Sequence, residues 1–121
     1  MNRVKDDIMR KCPFCNKNNL KKHEIIYEDN SNLAFFSSQP VTLGHTLVIP
    51  KKHVKSLLAF ADKDTDKLFE LVKRIAEIIH KVLKPNGLDI GTNCGRVAGQ
   101  SVDHLHVHVI PRYKGDLTFL Q

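Results

Sequence analysis

The sequence predicts a single α+β domain in which an antiparallel sheet of five strands carries one long and one short helix. Three β-rich runs come first, over residues 23–50, and a long stretch with helical spacing follows over Asp64–Lys84. A final segment, residues 103–112, alternates histidine with aliphatic residues at the period of two that is typical of a strand. Because the chain shows no internal repeat or linker, residues 1–121 are expected to form one domain.

The first three strands are predicted at HEIIYED, NLAFFS and HTLVIP, which are residues 23–29, 32–37 and 45–50. Asn and Asp in the intervening DNSN favour a turn, and Pro50 ends the third strand. A short helix is expected around Ser56–Phe60.

The long helix is predicted over Asp64–Lys84, with Asp62 or Asp64 as a cap at its start and Pro85-Asn86-Gly87 after its end. Its apolar residues recur with helical spacing: Leu68, Leu71, Val72, Ile75, Ile78, Ile79 and Val82. Two strands follow, LDIGTNCG (residues 88–95) and the histidine segment, with RVAGQS as a loop between them. Short connections favour antiparallel pairing with the helix packed on one face of the sheet.

Composition narrows the classes of function. No apolar run approaches the roughly 20 residues that span a bilayer, and the start, MNRVKDDIMRK, lacks the apolar stretch of a signal peptide. Three cysteines without a secretion signal argue against a disulfide framework, so we expect a cytoplasmic protein that does not bind membranes.

The net charge of +6 suits anionic ligands such as nucleotides. Nucleic-acid binding is the rival interpretation, but the lysines are scattered, and the chain offers two tyrosines and no tryptophan for base stacking. We therefore expect no nucleic-acid partner. A generally solvated basic surface would explain the charge equally well.

Cys12 and Cys15 form a CxxC, the usual first half of a structural zinc site, because two thiolates on a tight turn can share one tetrahedral ion. In a thioredoxin-like redox site this turn lies at the start of a helix that follows a central strand, whereas here it precedes the first strand. With no second CxxC, the remaining ligands are expected to be histidines. A plain surface turn is the alternative. Cys94 is interpreted as a small residue at a strand end.

His104, His106 and His108 occupy alternate positions, so their imidazoles are predicted to share one side of a strand. Three imidazoles in one extended row span about 13 Å, which is too far for one metal ion. A neutral imidazole can instead attack phosphorus, with neighbouring imidazoles donating hydrogen bonds to phosphoryl oxygens. Gln100 and Ser101, directly before the strand, could orient the phosphate.

Residues 104–110, HLHVHVI, resemble the signature of the histidine triad superfamily of nucleotide hydrolases and transferases. GHTLVIPKKHV (44–54) and AGQSVDHLHVHVIPRYKGD (98–116) resemble the two best-marked segments of that family, in the expected order and with the long helix between them. The resemblance extends from about Cys12 to Asp116. It implies a five-stranded antiparallel sheet with helices and a homodimer in which two sheets join.

The resemblance also implies roles for individual residues. His106 falls at the position of the nucleophile that forms a covalent nucleotidyl-histidine, and His108 at that of a supporting imidazole. Gln100 and Ser101 match positions that bond the phosphate and the bridging atom of the scissile bond. Nucleotide-binding positions, for a purine nucleotide, fall on Asn93, Ile26, Phe35, Ser37, His45 and Leu47. The zinc-containing branch implies a structural Cys2His2 site formed by Cys12, Cys15, His53 and His104.

Relatives commonly carry an Asp at the position of Ser37, where it binds the ribose hydroxyls. We therefore expect weaker ribose binding here, or a relaxed preference for a ribonucleotide. Three functions are compatible with these residues. The first is an enzyme that cleaves a purine phosphoramidate or dinucleoside polyphosphate through His106, and the second is a nucleotide-binding regulatory or partner-binding dimer with little turnover. Zinc-dependent hydrolysis ranks last, because a Cys2His2 site has no open position for water.

Overall fold

The computed structural model describes residues 3–20 and 24–116, and these form one five-stranded, fully antiparallel sheet with the order β1-β2-β3-β5-β4. The strands are β1 Ile25–Glu28, β2 Asn32–Phe36, β3 Thr46–Pro50, β4 Gly87–Gly91 and β5 Val107–Arg112. The predicted fold class is confirmed. His23, which the prediction placed in the first strand, and residues 1–2 and 117–121 of the predicted domain lie outside the described residues.

The long helix, which we label α3, spans Asp62–Leu83 and packs on one face of the sheet. It begins two residues before the predicted start, because Ala61 rather than Asp62 or Asp64 occupies the N-cap position and makes no side-chain cap bond. Both aspartates lie in the first turn instead, where their charge favours the positive end of the helix dipole. Lys84, in the left-handed conformation at φ 50°, ends the helix.

The helix side of the sheet forms the larger core. Buried residues of α3 pack there against alternate residues of the central strands: Ala34, Val48, Leu68, Leu71, Val72, Ile75, Ala76, Ile79, Leu105, Val107 and Val109. These residues keep the apolar stripe of α3 against the aliphatic half of the histidine segment. Among the helices of the described residues, none is long and apolar enough to cross a membrane.

The opposite face of the sheet carries a second, smaller core: Cys12, Phe14, Leu33, Phe35, Leu47 and Ile49. Two helices that the sequence did not predict, α1 Arg3–Lys11 and α2 Lys17–Leu20, flank the CxxC turn that contributes Cys12 and Phe14. The amino-terminal segment therefore covers part of the sheet face that α3 leaves open.

Two loops contain 3₁₀ turns. The short helix predicted around Ser56–Phe60 is a 3₁₀ helix at Leu57–Ala59, and the Ser56 side chain caps it by accepting a hydrogen bond from the backbone N–H of Leu58. A second 3₁₀ helix, Arg96–Ala98, lies within the segment predicted as a loop. The fourth strand is shorter than predicted and ends at Gly91.

The last strand begins later than predicted, at Val107, so only His108 of the three histidines lies in it. The backbone before Val107 bonds to loops instead of a strand, since Leu105 N–H donates to the Val54 carbonyl and the Thr92 hydroxyl to the His106 carbonyl. The alternation of faces nevertheless holds. Leu105 is buried in the helix-side core, and the rings of His104 and His106 contact Phe14 on the other side.

Candidate functional site

Strand register places His108 in a row of residues on the sheet face opposite α3. Phe35 pairs with Leu47, Leu47 pairs with His108, and His108 pairs with Gly91. Directly paired residues of antiparallel strands point to the same face. The row therefore ends in a histidine flanked on one side by buried apolar side chains and on the other by a glycine with no side chain.

His106 is buried, and its orientation is fixed by the backbone. Its Nδ1 lies 2.7 Å from the carbonyl oxygen of His104, which can only accept, so Nδ1 carries the proton. The other ring nitrogen, Nε2, then holds a lone pair. The ring centre lies 5.1 Å from that of His108.

His45 orients His108 through a chain of hydrogen bonds. The backbone N–H of Val41 donates to His45 Nδ1 at 3.0 Å, so the proton of His45 is on Nε2. That nitrogen lies 2.9 Å from His108 Nδ1, which accepts from it and leaves His108 with its own proton on Nε2. The two neighbouring imidazoles consequently present a lone pair on His106 and an N–H on His108.

Burial keeps the imidazoles that flank His106 neutral at physiological pH. The pKa of His108 is lowered to about 4, first by burial and then by repulsion from His106 and His45. The pKa of His45 is also lowered, by burial and by the charge of His106. Neutral rings are required for the chain of hydrogen bonds from Val41 to His108, because each acceptor nitrogen must be unprotonated.

Gly44 allows His45 to occupy its position. Its φ of +92° lies in the left-handed region that side-chain-bearing residues avoid. An added Cβ would also overlap Cδ1 of Leu83 and lie 3.2 Å from Pro111 Cγ. The positive φ of the turn thus favours glycine in the GH pair, and a Cβ there would in addition require the Leu83 side chain to move.

Four candidate metal ligands converge on the face that carries the smaller core. The nearest ligand atoms of Cys12, Cys15, His53 and His104 all lie within 4.8 Å of one another. The Sγ atoms of Cys12 and Cys15 are each 3.3 Å from His104 Nδ1, and Cys15 Sγ is 3.2 Å from His53 Nδ1. In a tetrahedral zinc site sulfur and nitrogen ligands are about 3.5 Å apart, so these residues fit such an ion.

The protonation of these ligands also suits a divalent cation. His104 Nε2 donates to the Pro50 carbonyl at 2.8 Å, which leaves Nδ1 free to coordinate. Burial lowers the pKa of His104 to about 4, so its ring is neutral. Burial, together with the hydrogen bond to and the charge of the neighbouring Cys12, raises the pKa of the Cys15 thiol to about 12. A bound cation reverses that effect, because a coordinating thiol is deprotonated.

The loop before the histidine segment holds the predicted phosphate-binding residues in different environments. Gln100 is buried, with its amide oxygen 2.8 Å from Gly95 N and its amide nitrogen donating to the Lys55 and Val102 carbonyls at 2.6 and 2.9 Å. Ser101 is exposed, and Asn93 Nδ2 donates to the Ala98 carbonyl at 2.6 Å. In this arrangement Gln100 binds backbone groups that hold the loop together.

The predicted nucleotide-binding residues do not all share one face. Phe35 and Leu47 are buried in the smaller core on the histidine side, whereas Ile26 packs against the helix-side core. A β-bulge between Ile25 and Tyr27 shifts the register, so Ile25 takes the place opposite Phe35. The structure therefore does not bring Ile26 together with Phe35 and Leu47.

Ser37 follows β2 and lies beside the turn to His45. Its backbone N–H donates to the His45 carbonyl at 2.9 Å, and its hydroxyl accepts from Gln39 N–H at 3.2 Å. Phe14 was not predicted as part of the site, although its place between the two cysteines of KCPFCNK was a usable signal. Thr92, which bonds the His106 carbonyl, carried no such signal.

The family model for the HIT domain matches residues 18–115 of this chain. "Protein hit" of Bacillus subtilis is 48% identical over 92 residues, which are 75% of this chain and 63% of that relative. The chain thus spans less than two thirds of that relative's length. Bis(5'-nucleosyl)-tetraphosphatase [asymmetrical] of Schizosaccharomyces pombe is 36% identical over 95 residues, 78% of this chain and 52% of the yeast protein.

A solved structure of a zinc-bound histidine triad family protein from Mycobacterium smegmatis superposes with a TM-score of 0.79 at 35% identity. The match covers 89% of this chain and 79% of that one. The family model covers most of the chain, sequence and fold agree with it, and the chain belongs to the HIT domain family.

Proposed function

We propose that the protein is a nucleotide hydrolase or nucleotidyl transferase that cleaves a nucleoside 5′-phosphate derivative through a covalent intermediate on His106. The observation that carries this proposal is the pair of fixed protons, which leaves a lone pair on His106 Nε2 beside an N–H on His108 Nε2. Membership of the HIT domain family and the similarity to a dinucleoside tetraphosphatase support the same class of substrate.

The reaction proceeds in two displacements. The His106 Nε2 lone pair attacks the α-phosphorus, so a phosphorus–nitrogen bond forms while the bond to the leaving group breaks, and the leaving group departs with that electron pair and takes up a proton. Water, or another nucleophile, then attacks the same phosphorus and loses a proton. The phosphorus–nitrogen bond breaks, and its electrons return to His106 Nε2.

Neighbouring groups stabilise the charge that develops on phosphate. The N–H of His108 donates to a phosphoryl oxygen, and we propose that the Ser101 hydroxyl bonds the bridging atom. Asn93 contributes to binding of the phosphate or ribose. Gln100 positions the loop that carries Asn93 and Ser101, and the hydrogen bond from its side chain to the Lys55 carbonyl supports this role. Ser37 occupies the position at which relatives commonly carry a ribose-binding Asp. We therefore also propose that the protein accepts 2′-deoxynucleotides.

The purine base is proposed to bind beside the row that ends in His108. Phe35 and Leu47 form the apolar floor, and Ile25 takes the place we expected for Ile26, since it lies opposite Phe35. His45 lies one residue before β3 and contributes by orienting His108 rather than by touching the base.

Zinc is the proposed cofactor, held by Cys12, Cys15, His53 and His104. Four protein ligands complete a tetrahedral site, so the ion supplies structural stability and has no position for a reacting water. The similarity to a zinc-bound family member supports the choice of metal. Because both cysteines must be reduced to bind, we propose a reducing compartment, the cytoplasm.

A homodimer is proposed through the outer edge of β4, which pairs with no further strand among the described residues. Ile90 is 48% exposed there, and it borders an open groove of about 420 Å³. The groove is lined mainly by apolar side chains of α3 and β4, namely Phe69, Val72, Ala76, Leu88 and Ile90. An edge strand beside an apolar groove is the arrangement that a second copy of the same sheet can cover.

A substrate panel with trapping of the intermediate tests the proposed activity. Purified protein is mixed with adenosine phosphoramidate, an aminoacyl adenylate, and diadenosine tri- and tetraphosphate, then denatured at alkaline pH and analysed by intact and peptide mass spectrometry. We expect turnover of at least one substrate and a nucleotidyl group on the peptide that contains His106. Tight nucleotide binding without turnover or adduct would support the non-enzymatic binding dimer instead.

A further inference from the structure

Phe14 lies between the two cysteine ligands and contacts three rings of the site. Its ring centre is 5.3 Å from that of His106, 5.8 Å from that of His104 and 5.6 Å from that of Phe35, each in an edge-to-face arrangement. The side chain is 8% exposed. One aromatic ring thus joins the candidate metal site to the candidate nucleophile.

The turn that carries Phe14 is short and is closed by its own backbone. Cys15 N–H and Asn16 N–H both donate to the Cys12 carbonyl, at 3.1 and 3.0 Å. Because Cys12 and Cys15 flank the ring on either side, a cation bound by both thiolates would fix the turn to His53 and His104 on other segments. The direction of the Phe14 side chain would then be fixed relative to the sheet.

The contacts that orient the His106 ring come from the segments that carry the metal ligands. The carbonyl of His104 holds Nδ1, and the Phe14 ring packs across the imidazole at an interplanar angle of 76°. Rotation of the imidazole about its side-chain bonds is opposed by both contacts, because the hydrogen bond fixes one atom and the aromatic edge fixes the plane. Loss of either would leave Nε2 less well aimed.

We propose that Phe14 is a positioning residue through which the metal site orients the nucleophile. The inference rests on the proposed role of His106 and deepens it: zinc would act on the reaction by holding the CxxC turn, and therefore Phe14, against the His106 ring. A misplacement of about 1 Å at a reacting group can lower the rate about 100-fold. Metal removal should therefore slow formation of the covalent intermediate by about 10- to 100-fold.

The test compares the response to metal in the wild type, Phe14→Leu and the matched control Phe60→Leu. Phe60 is a half-buried phenylalanine that packs against the helix-side core, so its substitution controls for the loss of a phenylalanine ring from the other core. Each full-length protein is measured zinc-loaded and zinc-stripped. The readouts are the His106 Cε1–H resonance by NMR without substrate, and the single-turnover rate of adduct formation.

We expect zinc removal to shift the His106 resonance and slow adduct formation in the wild type and in Phe60→Leu. Zinc-loaded Phe14→Leu should already be slow, and zinc removal should slow it less than about 3-fold further. A full response to zinc in Phe14→Leu would overturn the proposal, since the His104 carbonyl alone would then transmit the effect. If Phe14→Leu does not fold, the same comparison is made with Phe14→Met, which keeps most of the side-chain volume.

The two proposals fail in different ways. If no protein forms an adduct but the His106 resonance responds to zinc only when Phe14 is present, the positioning role holds and the covalent mechanism is wrong. If adducts form at rates that are independent of zinc in every variant, the covalent mechanism holds and the positioning role is wrong.

Discussion

His45 Nε2 lies 2.9 Å from His108 Nδ1, and the Val41 N–H on the far side of the His45 ring decides which nitrogen carries the proton. The backbone amide of Val41 therefore determines the tautomer of His108, because the His45 ring links the two by hydrogen bonds. This relationship gives His45 a function that can be tested apart from binding.

Replacement of His45 by leucine should lower the rate of the covalent step by about 10- to 100-fold, the range seen when residues that orient a functional group are removed. Without a donor at its Nδ1, His108 can place its proton there and present a lone pair to phosphate. The measurement is single-turnover kinetics at saturating substrate. Nucleotide affinity should change little.

A glutamine at position 45 serves as the rescue variant, because its amide N–H can reach the place of the imidazole Nε2–H. His45→Gln should recover most of the rate lost in His45→Leu. His80→Leu, at an exposed position on α3, is the control for loss of a histidine. Equal rates in His45→Leu and His80→Leu would show that His108 needs no orienting partner.

His106→Ala should lower turnover by about 10⁴-fold or more, the scale found when other covalent nucleophiles are removed. Nucleotide binding, measured by calorimetry, should survive because Phe35, Leu47 and the phosphate donors remain. His108→Ala should cost about 10²- to 10³-fold, as expected for one donor to a developing charge. A fully active His106→Ala protein, or one that loses binding and folding together, would contradict the assignment.

Period-two alternation predicted which side of the sheet each residue of the histidine segment occupies. It could not predict that the strand begins at Val107, since the bonds from Val54 and Thr92 to residues 105 and 106 depend on loops distant in sequence. The predicted assignment of side chains to the two sides of the sheet still holds, because extended backbone outside a strand also places alternate side chains on opposite sides.

Residues whose environment depends on long-range packing were harder to predict. The resemblance placed Ile26 in the purine pocket with Phe35 and Leu47, but a bulge between Ile25 and Tyr27, where one extra residue exchanges the faces, turns Ile26 toward the helix-side core. The bonds of Gln100 to Lys55 and Gly95 arise only when three loops meet. By contrast, the four metal ligands that the resemblance to the zinc-containing branch implied do cluster, and two thiols with two imidazoles are a ligand set that suits zinc.

Cys12→Ser should abolish stoichiometric zinc in the purified protein and lower the melting temperature by more than about 5 °C, because metal binding and folding of the site are coupled. Elemental analysis and thermal denaturation measure the two effects. Cys94→Ser is the matched control, since Cys94 is not among the four clustered ligands, and it should retain zinc. A wild-type protein purified without chelator and found free of metal would refute the site.

Ile90→Asp should prevent formation of the proposed dimer, because it places a charge on the β4 edge beside the apolar groove. Light scattering should give twice the chain mass for the wild type and one chain mass for the variant at micromolar concentrations. Leu58→Asp, at an 85% exposed position outside the groove, should remain dimeric. A wild-type protein that is monomeric throughout this range would exclude the proposed interface.

The lowered pKa of His108 predicts that the protein loses stability as the pH falls from 7 to 5. In the unfolded chain this imidazole takes up a proton as the pH falls through 6.5, whereas the folded pKa is about 4, so acid favours the unfolded state across that interval. The penalty is absent well above pH 6.5 and reaches its limit below pH 4. Lowering of the pKa of His45 acts in the same direction.

His108→Asn removes this titration and keeps an oxygen that can accept from His45. Between pH 7 and 5 the wild type should therefore lose about 1 kcal/mol more unfolding free energy than the variant, after allowance for the partial exposure of the ring. Urea denaturation at the two pH values measures this difference in unfolding free energy. Both proteins keep the metal ligands intact, so the contribution of the metal site cancels. Equal losses would mean that His108 is not held neutral by the fold, and its Nδ1 could then not be the acceptor of the hydrogen bond from His45 Nε2.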